Sequence, residues 1–481
     1  MGKIFEEANK LLKGKYKFFT TPGHKQGKGY LKFKNILRYD LTEVFGLDNL
    51  HKPTECIKDS LNELSEFYGS KKSYYLLNGS TSGIQIMIFS VFNEFDEVLI
   101  ERGCHVSIMN SIFLRKLKVN YINREIYNVD LLLPDEFSKI DYRDENIILN
   151  NIKDCIHKNP KIKGVILTNP NYYGFYINQK EIYEYLRKKN ISLLIDSAHG
   201  AHIKAFNKTI ECPNKFWDIS VMGAHKTLAA FTQGAYLHVN NEKFINKVDE
   251  YFSVFTTTSP SYLTMISLEK SLEDCKKYFK RKDVLRKRCN DFKKHINIDA
   301  HMYAIENSHI YCKSNGNFYY DDTRICLKFK FKNLNSKDLY DYLFMKKIIC
   351  EMIFFNGIVL IPTIYTKVKD LKYLESKLKK FDYNFKENYI FELVLKVCEA
   401  KYEKKIEPYE VKDRKYRFIK FKESVGKISF NDIFLYPPGV PIIFRGEKIL
   451  IEHIVLINEY KKLCYDVNGL FKDEYVKIVE E

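Results

Sequence analysis

A chain of 481 residues, 45% of them hydrophobic, can bury large cores, and its length suggests two to four domains. Its eleven cysteines are scattered, odd in number and without a Cys-x-x-Cys pair, which argues against a disulfide framework or a thiolate metal cluster and fits a reducing cytoplasm. The net charge of +17 raises nucleic acid as a partner, most of all at residues 276–288 with eight cations in thirteen positions, but Tyr278, Phe279, Val284 and Leu285 give that segment an apolar helical face, so no nucleic-acid role is expected.

Along the chain, Glu6 and Glu7 stand where a signal peptide would be apolar, and no 18-residue apolar run occurs. Residues 350–362 come nearest and are broken by Glu351, Asn356 and Gly357. Neither export nor membrane spanning is expected. Between about 60 and 260, apolar strands alternate with amphipathic helices, as repeated βα units do. A helix is predicted over 60–68, a strand over 74–78, a turn at Asn78-Gly-Ser-Thr-Ser-Gly83 into a helix over 84–92, and strands at 97–100 and 163–168. A helix over 180–189 and strands at 191–195, 218–222 and 234–239 follow. One long helix is predicted over 261–290. It leads into a smaller α+β region with strands at 324–331 and 358–362 and helices at 336–345 and 371–381. The expected units are an N-terminal segment 1–60, a large α/β domain 61–260 with a mostly parallel sheet, a small α+β domain 261–395 and a C-terminal α+β piece 396–481.

The segment Val221-Met-Gly-Ala-His-Lys226, thirty residues beyond Asp196 of Ile195-Asp-Ser-Ala-His-Gly-Ala-His202, suggests a lysine that condenses with an aldehyde cofactor such as pyridoxal 5'-phosphate. Asp196 ends an apolar strand, so its carboxylate would emerge at the strand's C-terminal end, where open α/β sheets bind ligands. Beside a pyridine nitrogen, an aspartate would keep that nitrogen protonated and the ring electron-withdrawing. Ser80, Thr81 and Ser82 sit between a strand and a helix, an anion site in outline, without the Gly-Lys-Ser/Thr of a nucleotide P-loop. His105 also follows a strand and could stack on an aromatic ring. His199, His202 and His225 with Asp196 could alternatively hold a metal, although nothing nearby in sequence completes a ligand set, and no metal is expected.

These segments together resemble the ornithine/lysine/arginine decarboxylase family of pyridoxal-phosphate enzymes, which have the aspartate-aminotransferase type of fold. The resemblance is carried by Thr21-Pro-Gly-His-Lys-Gln-Gly27, Asp40-Leu-Thr-Glu-Val44, Leu47-Asp-Asn-Leu-His51, Leu77-Asn-Gly-Ser-Thr-Ser-Gly83, Asn171-Tyr-Tyr-Gly174 and Asp196 to His202. His225-Lys-Thr-Leu228 with Gln233, Thr257-Thr-Ser-Pro-Ser-Tyr262 and Tyr436-Pro-Pro-Gly-Val-Pro441 with Gly446-Glu447 continue it in order. The chain is similar to the shorter members, which lack a response-regulator-like N-terminal domain. The resemblance implies that Thr81 and Ser82, with Ser80 beside them, hold the cofactor phosphate. His105 would stack on the ring, Asp196 pair with its nitrogen, and Ala198 lie beneath it beside His199. Lys226 would carry the covalent linkage, and Lys226 or His225 would return a proton to the substrate. It also implies a homodimer, with Thr257 and Ser259 reaching the neighbouring protomer's phosphate. The implied reaction is decarboxylation of a basic amino acid to a di- or polyamine. Another reaction of the same cofactor, or a non-catalytic relative, is the alternative. The chain departs from the family pattern at Ser197, Cys104 and Gly223-Ala224, and at Asn431, where the family commonly has an acid and this chain has Asp432 alongside.

Overall fold

The computed structural model describes residues 15, 17–19, 48–122, 147–206, 216–280, 284–306, 318–331, 334–354, 356–383, 402–436, 439–462, 466–472 and 474–480. The motifs at 21–27 and 40–44 lie outside the described residues, as do Leu47, Pro437 and Pro438.

A seven-stranded sheet forms the centre, built from β1 (Lys72–Leu76), β2 (Glu97–Glu101), β3 (Lys118–Ile122), β4 (Ile162–Thr168), β5 (Ser192–Asp196), β6 (Ile219–Met222) and β7 (Ala235–Val239). The spatial order is β1-β7-β6-β5-β4-β2-β3. All pairs from β6 to β3 are parallel, and β7 runs antiparallel to both of its neighbours. Strand β5 is buried at every position, as a strand covered on both faces must be, which explains its unbroken apolar run.

Helices cover the sheet: α1 (Cys56–Tyr68), α2 (Gly79–Val91), α3 (Val106–Arg115), α4 (Ile147–Lys158) and α5 (Lys180–Lys188). Helix α1 turns its Ile57, Leu61, Leu64 and Tyr68 stripe inward and stops at Gly69, whose φ of 77° supplies the left-handed cap. Helix α2 is apolar on almost all sides and is buried accordingly between the sheet and a later helix. It begins at Gly79 rather than at Ile84, so the Gly-Ser-Thr-Ser motif is the helix's own first turn and not a turn ahead of it.

A short helix, α6 (Ala224–Thr227), leaves β6 and is followed by α7 (Ile245–Phe255). The long helix expected over 261–290 is described as two, α8 (Tyr262–Lys280) and α9 (Val284–Ile296), with residues 281–283 outside the described set. Several cations of that segment have partners: Lys276 pairs with Glu63, and Arg286 Nε lies 2.8 Å from Asp322 Oδ2.

Four antiparallel strands, β8 (Met302–Ala304), β9 (Ile325–Phe329), β10 (Met352–Phe354) and β11 (Gly357–Leu360), make a smaller sheet in the order β8-β9-β11-β10. Helices α10 (Ser336–Met345) and α11 (Val368–Leu378) accompany it. Beyond residue 402, two three-stranded sheets and a helix over Ile451–Lys462 form a third region. One apolar cluster runs from Phe19 through the large sheet to Leu378, so the first two regions share a core. No helix among the described residues is long and apolar enough to cross a membrane.

Candidate active site

The parallel strands end together at one edge of the central sheet, where the last residues of β4 and β5 and the loops after β2 and β6 carry the polar groups. Thr168 ends β4 directly opposite Asp196 at the end of β5. The loop after β2 brings His105, and the loop after β6 brings α6 with His225 and Lys226. A cavity of about 390 Å³ opens there, lined by Ser80, Thr81, His105, Asp196, Ala198, His199, His225 and Lys226, together with Thr168, Tyr172, Gln233, Tyr436 and Val440. Eight of the sequence-predicted residues, spread from Ser80 to Lys226 along the chain, therefore share one space.

Three predicted residues do not line it. The Ser82 hydroxyl donates to the Gly79 carbonyl at 3.0 Å and closes the first turn of α2. Thr257 and Ser259 lie exposed between α7 and α8, where His51 Nε2 meets the Thr257 carbonyl at 2.8 Å. Ser80, by contrast, is 9% exposed, and its hydroxyl has no hydrogen-bond partner among the described residues. It stands at the positive end of α2, where a partner anion would be favoured.

The Asp196 carboxylate is 2% exposed and accepts from the Ala198 amide at 3.1 Å. Burial raises its pKa, with Lys226 pulling the other way. A carboxylate in that setting gains from a cationic N–H donor. Burial also lowers the Lys226 pKa, with the Asp196 carboxylate opposing it.

The histidines are held in defined states. The Ser107 amide donates to His105 Nδ1 at 3.2 Å, so the ring carries its proton on Nε2 and caps α3. A Cβ on Gly439 would come within 2.9 Å of that Nε2, so the C-terminal region presses a glycine against the ring edge. His225 Nδ1 donates to the Gly234 carbonyl at 3.0 Å, leaving Nε2 as its acceptor. Burial holds both rings at a pKa of about 4, far below the ordinary imidazole value. Lys226 Nζ lies 3.1 Å from His199 Nε2 and 5.1 Å from the centre of the Tyr172 ring.

The metal alternative meets a different arrangement. His202 Nε2 lies 2.6 Å from Asp321 Oδ2, and His199 faces Lys226 and Arg324. Among the described residues, no group of three or more His, Cys, Asp or Glu is placed to hold a metal ion. Asp432, the acid beside Asn431, accepts from Arg445 Nε and from the Arg445 amide, both at 2.9 Å, and is thereby committed. Sequence reasoning assigned no role to Thr168, Ser107 or Tyr172. Thr168 could have been found as the last residue of a predicted strand.

A family model described as the major domain of Orn/Lys/Arg decarboxylases matches residues 5–333. Over 469 residues the chain is 29% identical to an uncharacterized protein, YaaO, of Bacillus subtilis, covering 94% of this chain and 93% of that one. It is 26% identical over 451 residues to an arginine decarboxylase of the same organism, covering 91% and 89%. The solved lysine decarboxylase LdcF of Francisella novicida superposes with a TM-score of 0.76 at 18% identity, over 98% of this chain and 80% of that one, and shows the fold to be shared. The match over most of its length, on a mostly parallel α/β sheet whose C-terminal edge carries a half-buried lysine and a buried aspartate, makes the chain a member of the Orn/Lys/Arg decarboxylase family and a decarboxylase.

Proposed function

We propose that the chain decarboxylates arginine, lysine or ornithine to the corresponding amine and CO2, with pyridoxal 5'-phosphate linked to Lys226. The observation that carries this reading is the convergence of Lys226, Asp196 and the unpartnered Ser80 hydroxyl on one cavity.

The residues present fit that cofactor. Ser80 offers an unsatisfied donor at the start of α2, where a phosphate would be stabilised. Asp196 is a buried carboxylate with one amide donor, suited to a protonated pyridine nitrogen. Gly223 leaves room: a Cβ there would lie 2.6 Å from the Ala198 carbonyl and 3.3 Å from Lys226 Cδ. When bound, the cofactor supplies an electron sink for the bond broken at the substrate Cα.

The chain's own groups do the rest. Lys226 Nζ, lowered in pKa by burial, would hold the cofactor, and from the cavity wall it would be placed to hand a proton to the substrate Cα. His105, neutral and braced by Ser107 and Gly439, offers a flat uncharged face. His225 Nε2 is a second proton acceptor at the cavity wall. The relatives' names, arginine decarboxylase and lysine decarboxylase, support the basic-amino-acid class.

The test has two arms. Borohydride treatment of protein incubated with excess cofactor is expected to fix the mass of the reduced adduct on Lys226. Adduct elsewhere or nowhere overturns the assignment. Labelled arginine, lysine and ornithine are expected to release CO2 from at least one. Keto-acid formation instead would make the reaction a transamination, and an adduct without any turnover would make the chain a non-catalytic relative.

A further inference from the structure

The loop carrying His199 and His202 is gripped by one turn of the smaller sheet, Asp321-Asp-Thr-Arg324. Asp321 takes His202, and Arg324 Nη2 lies 3.3 Å from His199 Nδ1. The turn is closed by the Arg324 amide on the Asp321 carbonyl at 2.8 Å and by the Thr323 amide on Asp321 Oδ1 at 2.9 Å. It is tied to the large domain by the Asp321 amide on the Gly174 carbonyl at 2.8 Å. At Gly174, with φ of 99°, a Cβ would stand 2.9 Å from both Cβ and Cγ of Arg324, so the glycine makes the space that the arginine fills. Arg324 is 1% exposed, and its Nη1 has no partner among the described residues. A cation buried so completely, with one nitrogen spent on an imidazole, needs a reason.

The hydrogen-bond chemistry supplies one. A guanidinium can only donate, so His199 Nδ1 must accept, and a neutral imidazole then carries its single proton on Nε2. That N–H points at Lys226 Nζ, 3.1 Å away. A donor facing Nζ requires a lone pair on it, which an ammonium lacks. We propose that Arg324 is a positioning residue which, by fixing the Nε2–H tautomer of His199, holds the Lys226 amine in its neutral, nucleophilic form. The proposal rests on the reading of Lys226 as the carbonyl-binding lysine and explains how that lysine is kept ready.

The surrounding charges agree in direction. Burial lowers the Lys226 pKa and the Arg324 charge adds to it, while Asp196 at the end of β5 and Glu351 ahead of β10 oppose. Burial likewise keeps His199 far below the usual imidazole range, with the Arg324 charge adding to it. Tyr172 closes the group, its ring 4.2 Å from that of His199.

Competitive acylation of the cofactor-free protein with acetic anhydride tests this, with mass mapping of Lys226 against the exposed Lys71 as internal standard over a range of pH. Lys226 is expected to reach half-labelling at a lower pH than Lys71. In Arg324→Met the midpoint should rise by about one unit, roughly tenfold less labelling at a given pH below it. Arg324→Lys, which still donates, should stay nearer the wild type and serves if the methionine variant fails to fold. In protein carrying 15N-histidine, the signal that disappears in His199→Phe should report the Nε2–H tautomer, and Arg324→Met should convert it to a mixture. A wild-type Lys226 that titrates with Lys71, a wild-type His199 protonated on Nδ1, or an unchanged midpoint in a folded Arg324→Met overturns the proposal. None of these uses the cofactor. A depressed midpoint with no borohydride adduct at Lys226 would therefore sink the functional reading and leave the tautomer relay standing.

Discussion

Ser80 contributes a buried hydroxyl with no hydrogen-bond partner among the described residues, and its removal should separate cofactor binding from folding. Ser80→Ala relieves an unsatisfied group, so the cofactor-free protein should melt at the same temperature or slightly higher. Its affinity for pyridoxal phosphate should fall by roughly 1–3 kcal/mol, about 5- to 150-fold in dissociation constant, read by spectrophotometric titration. A fall in both quantities would make the hydroxyl structural. The histidines give a pH signature. His105 and His225 sit at about 4 in the fold against 6.5 for an ordinary imidazole. Between those values the unfolded chain binds protons that the folded chain refuses, so stability is intact above the ordinary value and is lost as the pH falls toward 4. The loss is on the order of 2 kcal/mol per ring at about pH 5 in the cofactor-free protein. Chemical denaturation at about pH 7 and about pH 5 measures it, and His105→Asn or His225→Asn should flatten the slope.

At the scale of elements, the step from β6 into α6 depends on Gly223, whose amide donates to the Ala198 carbonyl at 3.1 Å. A methyl group there would press on that same carbonyl, so Gly223→Ala should cost about 1–3 kcal/mol in unfolding free energy and slow labelling of Lys226 by the cofactor. Calorimetry and the growth of the visible absorbance check the two effects. The glycine also bears on what the sequence made legible. The strands around Asp196 and Thr168 were readable because a doubly covered strand must be apolar throughout, and the site followed because strand ends collect there. The helix start at Gly79 and the helix α7 were not read. Apolar periodicity marks the middle of an element better than its ends. Arg324 was invisible for a different reason: its meaning comes from a contact across 125 residues with His199, and no local pattern encodes that.

For the whole molecule, Arg102 after β2 and Glu447 near the C-terminus form a buried pair at 2.9 Å, 5% and 1% exposed, with the guanidinium 3.5 Å from the centre of the Tyr402 ring. Arg102→Ala would leave Glu447 buried and uncompensated. It should destabilise by about 3–5 kcal/mol and open the C-terminal region to limited proteolysis before the central sheet. Arg102→Ala with Glu447→Leu should recover much of that loss. The resemblance implies that two chains pair around shared sites, with the exposed Thr257 and Ser259 reaching the partner's phosphate. If so, mixing Lys226→Ala with a Thr257→Ala, Ser259→Ala variant should restore up to about a quarter of wild-type turnover through hybrid dimers, and unmixed samples should stay inactive.

The bond from the Val106 amide to the Gly439 carbonyl at 2.8 Å, beside a glycine with φ of 89° that has no room for a methyl group, makes the tail the back wall of the cavity. Chimeras that splice the last eighth of one relative onto the body of another must therefore transplant positions 105 and 439 as a matched couple. A fusion that carries only one of them leaves the edge of the His105 ring without the glycine that packs against it.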